Sequence, residues 1–126
     1  GILTFNSTHT KWSYAITNES GFVTEVAEKN PISNFATVGI YYWKKGSDYV
    51  KYAEEMIEKN IRVNNEFYVC PVFNQAIEDG KKIKTFHIEF NGINLIISKK
   101  ILMRENLKTE FIYLHFIVFQ TDFHLN

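Results

Sequence analysis

The sequence has little cysteine and no long apolar segment. Its one cysteine, Cys70, cannot form a disulfide within the chain, which fits a protein of a reducing compartment. No run approaches the roughly 20 apolar residues that a membrane helix needs. The first residues, G-I-L-T-F-N-S-T, also lack the charged and apolar regions of a signal peptide. We therefore expect a cytoplasmic protein that does not contact a membrane.

An excess of charge of either sign is also missing. Fourteen Lys and Arg residues balance fourteen Asp and Glu residues. Nucleic-acid binders usually carry a basic surface, so this balance argues against a nucleic-acid partner. It argues equally against a polybasic membrane anchor.

The usual catalytic motifs are absent from the sequence. It has no G-x-x-x-x-G-K, no G-x-G-x-x-G, no G-x-S-x-G and no H-E-x-x-H. The four histidines are too scattered to give the three or four convergent ligands that zinc requires. We predict no metal ligands and no catalytic residues in this chain. Cys70 and His115 are interpreted as structural residues.

What is present is a core. A chain of 126 residues with 45% hydrophobic and 16% aromatic content is suited to one compact domain. Alternating apolar residues at 12–16 and 22–26, separated by N-E-S-G, predict a β-hairpin. The nearly continuous apolar run Phe35–Trp43 predicts a central strand that is covered on both faces.

Two helical patterns follow this run. Gly46-Ser47-Asp48 predicts a turn and cap, and the next helix would close at Lys59-Asn60. Its predicted inward residues are Tyr49, Val50, Ala53, Met56 and Ile57. A second helix is predicted from about Tyr68 or Pro71 to Asp79, and then a strand over 83–90. Strands separated by helices predict an α/β fold with a mixed sheet.

Residues 91–126 read differently from residues 1–90, and we treat them as a divergent tail. They could form a short helix and then a strand over the apolar run Phe111–Phe119. Such a run would be prone to association as an exposed edge strand. It could pack on the same domain, or it could pair two copies of the chain into a homo-oligomer.

Three local features could carry function, and each also has a structural explanation. Glu28-Lys29, at the end of a strand, is either a solvated ion pair or a pair of ligand-binding groups. The segment N-N-E-F-Y, residues 64–68, is most simply a capping arrangement. Gly39 would allow a ligand to approach the sheet, or would serve helix packing.

Taken in order, these features resemble a known family. The block E-K-x-P, S-N-x-A-x-x-G-x-Y over residues 28–41, followed by N-E-F-Y at 65–68, is similar to the C-terminal half of the catalytic domain of sugar nucleotidyltransferases, the nucleoside-diphosphate-sugar pyrophosphorylases. The similarity spans roughly residues 2–89. It implies a partial Rossmann-like, GT-A-like domain over residues 1–90.

The resemblance also implies a role for individual residues in binding a sugar 1-phosphate. Glu28 would accept hydrogen bonds from sugar hydroxyls, and Lys29 would pair with the phosphate. Ser13 and Thr37 would contact the sugar through the backbone, and Tyr41 would lie beside it. Asn65 and Glu66 would close that side of the pocket.

Family enzymes convert a nucleoside triphosphate and a sugar 1-phosphate into a nucleoside-diphosphate sugar and pyrophosphate, with magnesium. Their nucleotide is bound by an N-terminal half that opens with G-x-G-x-R and supplies a metal-binding aspartate. Neither that motif nor a carboxylate between Glu89 and Glu105 occurs here. We therefore expect a chain that starts within a larger fold, encodes no cofactor site, and would meet the triphosphate only with the other half.

Three hypotheses remain open from sequence. The first is the sugar-phosphate-binding part of a nucleotidyltransferase that is inactive by itself. The second is a remnant without chemistry that acts as an interaction or oligomerisation module through residues 111–119. The third, which we favour least, is a small divergent enzyme that uses Glu66 or Glu28 as a base.

Overall fold

The computed structural model describes residues 1–89, together with the backbone of a strand at 116–119. The elements in chain order are β1 (Ile2–Asn6), β2 (Ser13–Thr17), β3 (Val23–Glu28), β4 (Phe35–Trp43), α1 (Gly46–Glu58), α2 (Val72–Glu78), β5 (Thr85–His87) and β6 (Phe116–Phe119).

The strands form one mixed sheet in the order β3-β2-β4-β1-β5, with β6 beside β4. Three pairings are antiparallel, namely β1 with β4, β2 with β3 and β2 with β4. The pairings of β1 with β5 and of β4 with β6 are parallel. The predicted α/β fold with a mixed sheet is confirmed.

The hairpin and the central strand form as predicted. In the turn, the amide of Gly21 donates to the carbonyl of Asn18 at 2.9 Å, and the Asn18 side chain accepts from the amide of Phe22 at 3.0 Å. β4 occupies residues 35–43 and lies between β1 and β2. Its continuous apolar sequence follows from this central position, because apolar clusters lie on both faces of the sheet, although Tyr42 near its end is 36% exposed.

The two helices cover one face of the sheet. Trp43 of β4 stacks on Phe73 of α2, with ring centroids 4.4 Å apart and planes inclined by 16°. The fully buried Tyr52 of α1 lies against the same indole. The buried residues of this main core are Ile2, Ala15, Val23, Val26, Tyr41, Trp43, Tyr52, Met56, Cys70, Val72, Phe73, Ala76 and Ile83.

The opposite face carries a smaller apolar cluster. Its buried members are Phe5, Tyr14 and Ala36, and Trp12 packs against them with its ring edge-on to Phe5. This cluster lies on the three strands that form the middle of the sheet. It packs the N-terminal end of β2 against β1 and β4.

Two details of α1 differ from the prediction. Val50 and Ile57 are 51% and 50% exposed, because the buried stripe is centred on Tyr52 and Met56 instead. The residue before the helix is Lys45, and no side chain caps the helix there, so Ser47 and Asp48 belong to the first turn. Asn60 does adopt the expected left-handed conformation, with φ of 53°.

α2 and the strand after it are shorter than predicted. α2 starts at Val72 after Pro71, and Gly80 follows its end with φ of 76°. The strand predicted over 83–90 is present only as Thr85–His87. Residue 90 and nearly all of the predicted tail lie outside the described residues. The part of the apolar run that is described, β6, runs alongside β4 of the same chain. Neither helix within the described part of the chain is long and apolar enough to cross a membrane.

Candidate functional site

A cavity lies where β4 departs from regular strand geometry. Ile2 pairs with Tyr41 and Thr4 with Thr37, so a step of two residues on β1 matches four residues on β4. Gly39 lies in this bulge with φ of 80°, a conformation that glycine adopts without strain. The cavity beside the bulge is lined by Lys11, Trp12, Ser13, Glu28, Lys29, Thr37, Val38, Gly39, Tyr41 and Tyr68.

A buried carboxylate forms part of the cavity wall. Glu28 is 8% exposed, and Ser13, opposite it in the β2–β3 ladder, is 5% exposed. The Oγ of Ser13 donates a hydrogen bond to Oε2 of Glu28. An ionised carboxylate has about four acceptor positions. Glu28 is therefore a hydrogen-bond acceptor held in a fixed position in the cavity wall.

Beneath the carboxylate lies a layer of buried hydroxyl and thiol groups. The hydroxyls of Thr37 and Tyr41 are hydrogen-bonded at 3.1 Å, and both residues are buried. Burial raises the pKa of Tyr41 well above its ordinary value. Burial also raises the pKa of the Cys70 thiol to about 12, and the charge of Glu28 adds to this shift. Cys70 is a neutral thiol at physiological pH, in agreement with its interpretation as structural.

Lys29 supplies positive charge at the cavity, and its position is controlled by two further residues. Its Nζ donates to the Tyr68 hydroxyl at 2.5 Å, and that hydroxyl donates to Oε2 of Glu66 at 2.6 Å. The Lys29 ammonium also lies 4.6 Å from the centre of the Tyr68 ring. The hydrogen bond that Lys29 donates to Tyr68 raises the pKa of Lys29 most, partial burial lowers it, and the nearby carboxylates of Glu28 and Glu66 raise it further.

The backbone of Lys29 is strained, since its φ is 54°. For an L-residue this left-handed region costs roughly 1–2 kcal/mol relative to the right-handed one. Asparagine and glycine tolerate it better than lysine does. The left-handed conformation of Lys29 turns the chain at the end of β3. Glu28 and Lys29 therefore both line the cavity although they are adjacent in sequence.

A tight turn carries Glu66 to its position. Asn64 and Asn65 have φ of 48° and 64°, and Val63 and Glu66 exchange backbone hydrogen bonds of 3.0 and 2.9 Å. Two successive residues with positive φ between paired residues are typical of a type I′ hairpin turn. The segment is therefore a hairpin turn and not the helix cap that was its simplest interpretation.

The end of β3 is fixed by a side chain of α2. Asn74 accepts from the Val26 amide at 2.9 Å and donates to the Val26 carbonyl at 2.8 Å. Among the described residues β3 is the last strand on its side of the sheet, so these backbone groups have no strand partner there. Asn74 thereby anchors the strand two residues before Glu28.

The structure brings together most of the residues that the resemblance selected. Five of them line the cavity: Ser13, Glu28, Lys29, Thr37 and Tyr41. Glu66 reaches it through Tyr68, whereas Asn65 does not line it and its carbonyl accepts from Arg62 at 3.1 Å. The cavity residues missed from sequence include Tyr68 and Trp12. For Tyr68, the available signal was the Asn-Asn pair, which predicts a tight turn just before it.

Magnesium, which the resemblance implies for the intact enzymes, finds no matching set of ligands in the described part of the chain. No group of three His, Cys, Asp or Glu side chains converges there. Glu28 is the one carboxylate among the residues that line the cavity, and it accepts from Ser13. We therefore assign no metal-dependent step to these residues.

Comparison with known proteins shows similarity at the level of the structure. No protein-family model and no curated protein matches the sequence. The structure is similar to that of the nucleoside-diphosphate-sugar pyrophosphorylase from Vibrio cholerae RC9, with a TM-score of 0.60 and 23% sequence identity. The match covers 71% of this chain and 38% of that one. The chain thus has the fold of part of a pyrophosphorylase, as the sequence resemblance indicated, and spans well under half of that protein's length.

Proposed function

We propose that this chain is the sugar-1-phosphate-binding part of a sugar nucleotidyltransferase. The observation that carries the proposal is the pair Glu28 and Lys29, which places a buried carboxylate and an ammonium side by side in one cavity. A sugar 1-phosphate offers hydroxyl donors next to a dianionic phosphate, so it matches both groups at once. The likeness of the fold to a pyrophosphorylase supports the same ligand class.

Each group of the cavity then has a separate task. Glu28 accepts hydrogen bonds from sugar hydroxyls, and Ser13 keeps its carboxylate oriented. Lys29 pairs with the phosphate, and Thr37, Tyr41 and the bulge at Gly39 shape the floor against which the sugar rests. In the transfer, a phosphate oxygen of the sugar 1-phosphate attacks the α-phosphorus of the triphosphate, and the bond from that phosphorus to pyrophosphate breaks.

The 126 residues would position the attacking group without completing the reaction. No G-x-G-x-R segment that could hold the triphosphate occurs in the sequence, so nucleotide binding is not assigned to these residues. Positioning one reactant without the other gives no transfer. We therefore expect no release of pyrophosphate when the chain is incubated with magnesium, nucleoside triphosphates and sugar 1-phosphates.

Calorimetric titration tests the proposal directly. Glucose, galactose and mannose 1-phosphates would be titrated into the chain, and each free sugar and inorganic phosphate would be titrated in parallel. We expect at least one sugar 1-phosphate to bind more tightly than its free sugar and than phosphate alone. Because charged hydrogen bonds contribute about 1.5–3 kcal/mol, Lys29→Met should weaken that binding by roughly 10- to 100-fold.

The matched controls are Glu25→Gln and Lys44→Met. Glu25 lies on the same strand as Glu28 but is exposed, and Lys44 is an exposed lysine beyond the end of β4. Both controls should bind like the parent chain, whereas Glu28→Gln should weaken binding of the sugar 1-phosphate and of the free sugar alike. Equal affinity in Lys29→Met, Glu28→Gln and the parent would refute the proposal.

A further inference from the structure

Lys29 is the end of a directed chain of hydrogen bonds. An ammonium only donates and a carboxylate only accepts, so the order Lys29 to Tyr68 to Glu66 fixes where the phenolic proton lies. The hydroxyl proton of Tyr68 points at Glu66, and its oxygen lone pair points at Lys29. Glu66 thus polarises the phenol and makes it a better acceptor for the ammonium.

The tether still leaves the ammonium able to bind a ligand. An ammonium has three N–H donors, and Tyr68 accepts one of them. Lys29 and Tyr68 both line the cavity, so the bond holds the ammonium at the site and does not withdraw it. The Tyr68 ring, 4.6 Å away, adds a second attraction to the same charge.

Holding the Lys29 side chain in place before a ligand binds should increase its affinity for an anion. A free lysine side chain has many rotamers, and part of that freedom is lost whenever the ammonium pairs with a fixed anion. A lysine already held by Tyr68 and by its own turned backbone loses less of that freedom on binding. The gain appears as affinity for the anion and leaves affinity for the sugar hydroxyls unchanged.

We propose that Tyr68, supported by Glu66, is a positioning residue that sets the phosphate affinity of the cavity by holding the Lys29 ammonium in place. This inference rests on the proposed function, because it takes Lys29 as the phosphate-binding group. It assigns to the hairpin turn at Asn64-Asn65 a specific task, which is to deliver Glu66 to the Tyr68 hydroxyl.

A double-mutant cycle with inorganic phosphate as the probe tests the proposal. Tyr68→Phe removes one hydrogen bond that positions the ammonium but leaves the ammonium in place, so it should weaken phosphate binding about three- to tenfold, less than Lys29→Met does. The same substitution in the Lys29→Met background should change phosphate affinity less than about twofold, because its effect passes through the ammonium. Glu66→Gln should give a smaller loss, and it serves as an independent variant if Tyr68→Phe folds poorly.

Tyr52→Phe is the matched control. Tyr52 also donates to a carboxylate, Asp79, at 2.5 Å and also lies under a lysine, Lys51, but it is on α1 and does not line the cavity. It should bind phosphate like the parent chain.

Equal phosphate affinity in Tyr68→Phe and the parent would overturn the positioning role, as would a gain in affinity, which would mean that Tyr68 sequesters Lys29. Absence of phosphate binding in the parent would overturn the assignment of Lys29 itself, and with it this inference.

Discussion

Ser13 and Glu28 face each other across the β2–β3 ladder, and the serine hydroxyl donates to the glutamate carboxylate. Both side chains are buried. A buried carboxylate is tolerated only when its charge is met by hydrogen bonds or cations. The pairing therefore holds a hydrogen-bond acceptor in a fixed position at the edge of the cavity.

Ser13→Ala should destabilise the chain. The substitution removes a hydrogen bond to a charged group while the carboxylate stays buried, a loss of about 1.5–3 kcal/mol. Urea unfolding at pH 7 measures it, with Ser20→Ala in the exposed hairpin turn as the control. Equal unfolding midpoints for Ser13→Ala and the parent would show that the hydroxyl does not stabilise the carboxylate.

Lys29→Gly should be more stable than Lys29→Ala, by about 1 kcal/mol, because glycine adopts the left-handed φ of 54° without steric cost. Both variants should lose phosphate binding. The same pair of substitutions at Lys44, which has no positive φ, should give the opposite order of stability. If glycine were also the less stable replacement at position 29, the backbone strain there would be refuted.

Asn74→Ala should open the edge of β3. The Val26 amide would lose its acceptor, so its hydrogen exchange should become at least about tenfold faster, which corresponds to about 1.4 kcal/mol. The neighbouring amide of Ala27 faces β2 in the antiparallel ladder and should keep its protection. Nuclear magnetic resonance resolves both amides in one experiment. Unchanged exchange at Val26 would contradict the anchoring role of Asn74.

Cys70 should be almost unreactive in the folded chain. Because its pKa is raised to about 12, little thiolate exists at pH 8, and the side chain is fully buried. Alkylation by iodoacetamide should be at least about tenfold slower in buffer than in denaturing urea. Mass spectrometry measures the rate of alkylation, and Cys70→Ala shows how much of the signal comes from residues other than Cys70. Equal rates in both solutions would contradict the burial of the thiol.

The same pKa has a consequence for stability. The pKa of the Cys70 thiol is higher in the folded chain than its ordinary value of 9.0. The neutral thiol therefore contributes its full stabilisation at pH values below 9. That contribution is lost as the pH rises from 9 towards 12. The parent should therefore lose more stability over this range than Cys70→Ala. A parallel decline in both proteins would show that Cys70 does not contribute.

The strands could be predicted from sequence because their patterns are local. Alternation marks the hairpin, and the run Phe35–Trp43 has the bounds of β4. The prediction of the inward face of α1 was partly wrong. Val50 and Ile57 extend the apolar stripe of the helix in sequence, but tertiary packing decides which part of that stripe is buried. Tyr68 was not assigned to the site although it lies in the N-E-F-Y block, because its contact with Lys29 spans 39 residues of sequence.

The site itself became visible from sequence through the family resemblance rather than through spacing. Glu28 and Lys29 alone favoured a solvated pair, and only the resemblance selected them as ligand-binding groups. The structure adds two features that the sequence did not predict, namely the register that sets Ser13 against Glu28 and the turned backbone of Lys29. Both depend on bulges and positive φ, which alternation of residue types does not encode.

The central claim is tested most directly by mapping a sugar 1-phosphate onto the chain by nuclear magnetic resonance. When the most tightly bound sugar 1-phosphate is added, the largest changes in amide chemical shift are expected at Ser13, Glu28, Lys29, Thr37 and Gly39. Some of these changes should also appear with inorganic phosphate alone, and Lys29→Met should abolish that subset. Shift changes confined to other surfaces of the chain would contradict the assignment of this cavity to sugar-phosphate binding. The absence of shift changes with every sugar 1-phosphate added would contradict it as well.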